Sequence, residues 1–300
     1  MRRIAVFLAV TFALTWAYEF GVVYPISTGA LAGIPPVATQ LAAGAAMFFP
    51  AIGVAITRLI TREGFKNSLI KPHGFKKSLP WFLVAWFAPS VLTLAGAAVY
   101  FLAFPQDFDP SMSLMLATVQ QQAEVTGGAQ VPADMLRLAL VAQLPFAVLM
   151  APALNILTTF GEEWGWRGYL VPKMAAKLRI VPTLLITGVI WGLWHAPLTA
   201  IGHNYGTGYP GWPVLGILAM CGFCIVMGVF LTYVTVRRGS CLAAAIGHGA
   251  LNGFVSAAAL FSATGGNPFV GPLPTGIVGG CGFFAVAGPL LFGPRRRGEG

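Results

Sequence analysis

Three short polar clusters interrupt a 300-residue chain that is otherwise mostly apolar. The first is Gly161-Glu162-Glu163-Trp164-Gly165-Trp166-Arg167, the second Trp191-Gly192-Leu193-Trp194-His195, the third His248-Gly249-Ala250-Leu251-Asn252. Spacing separates their roles. Glu163 and Arg167 are four positions apart, so on a helix they share a face and pair. Glu162 is turned about 100° from that face and can point into a bundle. His248 and Asn252 are also one turn apart, so two hydrogen-bonding side chains converge. Trp191 stands one turn before His195 and can pack on its ring. A carboxylate and an imidazole can hold a water and take its proton. A His N–H and an Asn amide can donate to a developing oxyanion. Together they suit attack of water on a carbonyl. No Ser or Cys lies in a recognisable nucleophile motif, and HExxH is absent.

The elements that must position these groups follow from composition. Hydrophobic residues make up 57% of the chain and charged residues 9%, with a mean hydropathy of +0.77. A soluble domain carries about 25% charged residues, so neither a soluble core nor a disordered chain fits. A crossing needs about 20 apolar residues, and long continuous runs favour helices over a closed barrel. The expected fold is an all-α polytopic membrane protein of about eight spans. They lie near 4–24, 36–60, 80–104, 135–160, 182–201, 212–236, 241–263 and 274–293. Pro25, Pro35, Pro80, Pro105, Pro182 and Pro213 punctuate their ends. The Met1-Arg2-Arg3 start and the run behind it resemble a signal peptide without a clear cleavage site, so that run is expected to be the retained first helix. A surface helix is expected over Ser113 to Val125. No internal repeat or low-complexity segment is visible.

The formal net charge of +9 does not indicate nucleic acid, because the basic residues sit in short gaps between apolar runs. Arg2, Arg3, Arg62, Lys66, Lys71, Lys76, Lys77, Lys173, Lys177, Arg179, Arg237, Arg238 and Arg295–Arg297 fall in alternate connections. The intervening loops near 25–35, 105–134, 202–211 and 264–273 hold no Lys or Arg but do hold Asp107, Asp109, Glu124 and Asp134. The positive-inside rule then places both termini in the cytoplasm of a multi-pass cell-membrane protein. Cys221 and Cys224 form a lone CxxC in an apolar run and read, with Cys241 and Cys281, as small packing residues. His73 and His203 read as loop surface residues, and Glu19 as reaching water at the outer edge of the first span.

At about 1.5 Å per residue, Glu162, His195, His248 and Asn252 all lie roughly 13–22 Å from the basic ends of their spans. One shared buried site accounts for that. At these residues the chain resembles the CPBP membrane proteins, which include the CaaX prenyl endopeptidases and bacteriocin-immunity homologues. The family pattern of EExxxR, FxxxH and HxxxN reads here Glu162-Glu163-x-x-x-Arg167, Trp191-x-x-x-His195 and His248-x-x-x-Asn252. Trp191 replaces the usual Phe, which bears on the shape of the pocket. The resemblance covers most of 80–293, within a single membrane domain of 1–300. It implies an intramembrane, metal-independent glutamate endopeptidase. Glu162 and His195 would activate water, His248 and Asn252 would form the oxyanion hole, and Glu163, Arg167 and Trp191 would support them. It implies no cofactor, and as partners membrane lipid and a peptide or membrane-protein substrate.

Blander readings stand beside this one. Glu163 and Arg167 pair in ways that simply hold a helix, and His248 and Asn252 can be interhelical glue. Glu162, His195 and His248 could instead ligate zinc with water as fourth ligand. An immunity or binding protein could use the same scaffold without catalysis. A transporter would also need buried Glu and His, but predicts broken helices and internal repeats, and the sequence displays neither.

Overall fold

The structure is a computed structural model that describes residues 1–31, 34–35, 37–66, 68–72 and 74–292. His73 and the Arg295–Arg297 run lie outside the described residues. The protein is an all-α polytopic membrane protein. In chain order its helices are α1 Arg2–Tyr18, α2 Tyr24–Ser27, α3 Val37–Ala46, α4 Phe49–Ile60, α5 Phe75–Ala103, α6 Ser113–Thr126, α7 Ala133–Leu154, α8 Ile156–Gly165, α9 Val171–Ala175, α10 Ile180–Trp194, α11 Ala196–Ala200, α12 Val214–Arg238, α13 Leu242–Phe254 and α14 Cys281–Phe292. The surface helix expected from Ser113 is α6.

Among the described residues, six helical stretches are long and apolar enough to cross a bilayer: Arg2–Ser27, Val37–Ile60, Phe75–Ala103, Ala133–Leu154, Val214–Arg238 and Leu242–Phe261. The fifth and eighth expected spans coincide with shorter apolar helices, Ile180–Trp194 and Cys281–Phe292. Large apolar side chains such as Leu102, Leu138 and Leu157 point outward. Water would penalise that arrangement, whereas hydrocarbon favours it.

Expected straight spans are broken: 36–60 at Met47–Phe48, between α3 and α4, and both of the spans that carry Glu162 and His195. The run 135–160 breaks at Asn155, between α7 and α8. Pro152 has no N–H for the Val148 carbonyl one turn back, and the indole of Trp86 donates to that carbonyl instead, at 3.0 Å. Asn155 donates from its amide to the Gly249 carbonyl at 3.1 Å, and Thr159 to the Ala245 carbonyl at 2.9 Å. The kinked α7–α8 rod is thereby fastened along α13. The run 182–201 breaks at His195, two residues before Pro197. Broken helices therefore do not separate a transporter from an enzyme here.

Helix α10, which carries Trp191 and ends at His195, is held close to α12. On α10, Gly188 and Gly192 face α12, and a Cβ at Gly192 would lie 2.4 Å from the Cys221 Cα. This is a small-xxx-small contact, in which missing side chains let two backbones approach. Under the site lies an aromatic floor. Phe7 of α1 meets Trp166 at 5.8 Å and Tyr169 at 5.1 Å, and Trp166 meets Trp194 at 5.8 Å between ring centroids.

Candidate active site

Glu162 and Glu163 are neighbours on α8, both fully buried, and they face different partners. Glu163 Oε1 accepts from Arg167 Nη1 at 2.9 Å and from His248 Nδ1 at 2.9 Å. Arg167 sits in a π-helical turn, Trp166–Leu170, which continues α8. Such turns insert a residue into the helix and re-aim side chains. The Arg167 guanidinium also lies 4.0 Å from the centre of the Trp191 ring. Glu162 makes a separate contact, accepting from Trp191 Nε1 at 2.8 Å. Trp191 thus does more than shape a pocket. Its indole N–H donates to the Glu162 carboxylate, which the phenyl ring usual in the family cannot do.

His195 caps α10. Its backbone N–H bonds the Gly192 carbonyl, which leaves the Trp191 carbonyl free, and the imidazole takes it through Nδ1 at 2.9 Å. A carbonyl only accepts, so Nδ1 carries the proton and Nε2 is the open acceptor. The same reasoning holds for His248. Its Nδ1 donates to a carboxylate oxygen already paired with Arg167, so its Nε2 is an acceptor when the ring is neutral. It donates only as imidazolium.

Glu162, Trp191, His195, His248 and Asn252 line one cavity of about 300 Å³. The three clusters therefore converge, and Glu163 and Arg167 stand behind the cavity wall as the spacing predicts. His203, exposed on its loop as expected, also lines the cavity, with its ring parallel to that of His195 and centroids 6.3 Å apart. Two residues differ from expectation: Asn252, expected at a buried site, is exposed where it lines the cavity, and Glu19, expected to reach water, is 2% exposed. A loop histidine eight residues past His195 carries no periodic signal, but Pro197 does, because it forces the turn that brings the loop back. Gln40, Asn204 and Met220 also line the cavity.

Ligand atoms of Glu162, Glu163 and His248 lie within 4.8 Å of one another. That is a different trio from the one suggested by the sequence, with Glu163 in place of His195. Glu163 Oε1 and His248 Nδ1 are already spent on each other and on Arg167. A cation would have to use Glu163 Oε2, which is buried without a partner, with Glu162 and the outer nitrogen of His248.

Residues 144–254, from the middle of α7 through α13, match the family model described as Type II CAAX prenyl endopeptidase Rce1-like. The Rce1-like segment holds all three motifs, which bears out the CPBP resemblance. A 111-residue stretch is also 28% identical to "CAAX prenyl protease 2" of Methanococcus maripaludis, covering 36% of this chain and 41% of that protein. The chain thus matches about two fifths of the relative's length. The Rce1-like segment excludes α1 to α6, so Glu19, Gln40 and the helices around them fall outside it.

Proposed function

We propose that this chain is an intramembrane endopeptidase in which Glu162 activates the attacking water. One observation carries the reading: Glu162, His195, His248 and Asn252 all line the same cavity. In this mechanism the water oxygen attacks the peptide carbonyl carbon and its proton passes to Glu162. His195 Nε2, an open acceptor, orients the water through its second hydrogen. Negative charge collects on the carbonyl oxygen, where the Asn252 amide donates. His248 donates as well when its ring is doubly protonated. Collapse breaks the C–N bond, and Glu162 returns its proton to the leaving amine. Arg167 and Glu163 hold the His248 ring, and Trp191 holds the Glu162 carboxylate. The relative's name points to prenylated CaaX tails as the first substrates to try. The site lies in a multi-pass protein of the cell membrane, with its basic connections in the cytoplasm.

The test uses the full chain in nanodiscs with a fluorogenic prenylated CaaX peptide, alongside proteomic comparison of membranes from cells carrying wild type or Glu162→Ala. Wild type should release product, and Glu162→Gln, folded and expressed normally, should not. Full activity in Glu162→Gln would remove the mechanism. Identical membrane proteomes and no cleaved peptide would favour a non-catalytic binding or immunity role. A zinc-dependent variant of the reaction has the Glu162–Glu163–His248 proximity in its favour. About one zinc per chain by elemental analysis, with activity lost on chelation and restored by zinc, would select it. We expect activity to survive chelation.

A further inference from the structure

The cavity that holds Glu162 is open toward one end of the bundle and closed toward the other. Glu162, His195 and His248 are buried in its wall. Its exposed lining residues, among those described, are Gln40, His203 and Asn252. These three come from separate elements: the first turn of α3, the loop after α11 and the last turn of α13. Chain direction shows which end they mark. Helix α10 leaves the basic connection at Arg179 and runs to the break at His195, and His203 follows in the loop without Lys or Arg. Helix α13 leaves the Arg237–Arg238 connection, and Asn252 lies about 15 Å along it from Leu242. Gln40 enters α3 from the 25–35 loop, which also lacks Lys and Arg. The mouth therefore lies at the end away from the basic connections.

Toward the basic connections the bundle is solid. Gly165 through Val171 are all buried, as are Met227 through Thr232 on α12 and Ala243 through Leu251 on α13. That region contains the Arg167–Glu163 pair and the Trp166–Trp194 edge contact of the aromatic floor. A peptide arriving from the basic end would have to part both, and opening a buried ion pair is strongly destabilising.

We propose that the site takes its peptide from the end opposite the basic connections, which the positive-inside rule makes the non-cytoplasmic face. The substrate class is then an extended peptide segment presented on that face, not a cytosolic tail. The mouth suits such a ligand. Its amides and imidazole match the N–H and C=O groups of an extended backbone, and no Lys or Arg lines the cavity to pair with a substrate carboxylate. Gln40 belongs to α3, outside the matched segment 144–254, so part of this entrance is particular to the chain. The proposal deepens the endopeptidase reading and rests on it for the cleavage arms alone. A prenylated peptide in nanodiscs, open on both faces, tests the chemistry but not the side.

The test places single cysteines at Gln40, His203, Thr207 and Lys71 in a background without the native four. An impermeant maleimide added to intact cells should label positions 40, 203 and 207 directly and position 71 only after permeabilisation. In nanodiscs, a bulky maleimide at position 40 should block turnover relative to that background. The same label at position 207, exposed but outside the cavity lining, should leave it unchanged. Wild type in proteoliposomes sorted by orientation supplies a second readout. An impermeant, internally quenched peptide library should be cleaved when added on the face of position 207 and spared on the face of position 71. Protection of positions 40 and 203 in intact cells, equal inhibition by labels at 40 and 207, or cleavage from the face of position 71 would each overturn the proposal. If neither face yields product, the endopeptidase reading fails, and labelling of 40 and 203 against 71 still decides the side on which the cavity opens.

Discussion

Trp191 binds one cluster to the other two through a single side chain. Its N–H holds Glu162 at 2.8 Å, its face carries Arg167, and its ring meets that of His248 at 5.5 Å. Trp191→Phe keeps an aromatic face for Arg167 and removes only the donor. A hydrogen bond to a charged group contributes about 1.5–3 kcal/mol, so kcat/KM should fall by roughly 10- to 100-fold with the melting temperature nearly unchanged. A rate equal to wild type would reduce the indole to a filler. In the proposed mechanism Asn252 is the complementary case, because its charge partner would exist only in the transition state. Asn252→Ala should lower kcat by about 10²–10³ with little change in KM, whereas interhelical glue would lower the melting temperature and leave kcat per folded molecule intact. Much of this was legible in the sequence, since i,i+4 spacing on a helix is geometry. The pairing of Glu163 with Arg167 and the separate course of Glu162 both follow from it. What spacing could not supply was the atom each ring presents. The Nδ1 protons of His195 and His248 are committed by a carbonyl freed at a helix break and by a carboxylate on another helix, and both are tertiary facts.

At the scale of elements, the site depends on how closely α10 lies on α12. Gly192 has no room for a Cβ beside Cys221, and His195 is three residues further on. Gly192→Val should force the helices apart, lower the melting temperature by several degrees and abolish cleavage, while the same change at Gly222, with open space around it, should be tolerated. Circular dichroism melts and turnover measured on both variants decide this. Long apolar runs revealed where the helices lie but not where they break. The break at Asn155 needs Pro152 together with Trp86, 62 residues away, and only the proline is local. A second element-scale device sits at the basic end. Glu63 reaches Arg3 of α1 at 3.6 Å, Arg58 of α4 at 3.9 Å and, just before α9, Tyr169 at 3.0 Å, and it also pairs with Lys173. Partial burial pushes the Glu63 carboxyl up, but hydrogen bonds from Lys173 and Tyr169 and the charges of Lys173 and Arg58 outweigh that and hold it below the usual glutamate range. A depressed carboxyl stabilises the fold above its unfolded value and loses that contribution as pH falls through the folded one. Wild type should therefore lose thermal stability below about pH 4. Glu63→Gln should be less stable than wild type at pH 7 and converge with it in acid; a constant gap across that range would show that the cluster acts through shape alone.

On the scale of the whole molecule, charge and chain direction have to agree. Both short apolar helices, α10 and α14, lie against α12, the stretch of 25 residues with the highest hydropathy among the spans, 2.7. They can complete a crossing beside a long partner even though a 15-residue helix rises only about 22 Å. If each does, the eight apolar segments place every basic connection on one side. That side carries the Arg3–Glu63–Lys173 cluster. The opposite side carries Asp107, whose carboxyl accepts from Tyr100, Ser262 and Thr264 and so ties the end of α5 to the loop after α13. If α10 stopped short and returned to its own side, every later connection would change sides, and Arg237–Arg238 would face the same way as Asp107. The positive-inside rule disfavours that reversal. Cysteine labelling in intact cells discriminates, using single cysteines placed at Lys71 and Thr207 in a background without the native four. Both positions are exposed, and they lie in connections of opposite charge character. An impermeant maleimide should label position 207 directly and position 71 only after permeabilisation. Adding Arg238→Cys tests the short span itself. It should behave like position 71, and labelling of 238 from outside with 71 still protected would mean that α10 does not cross.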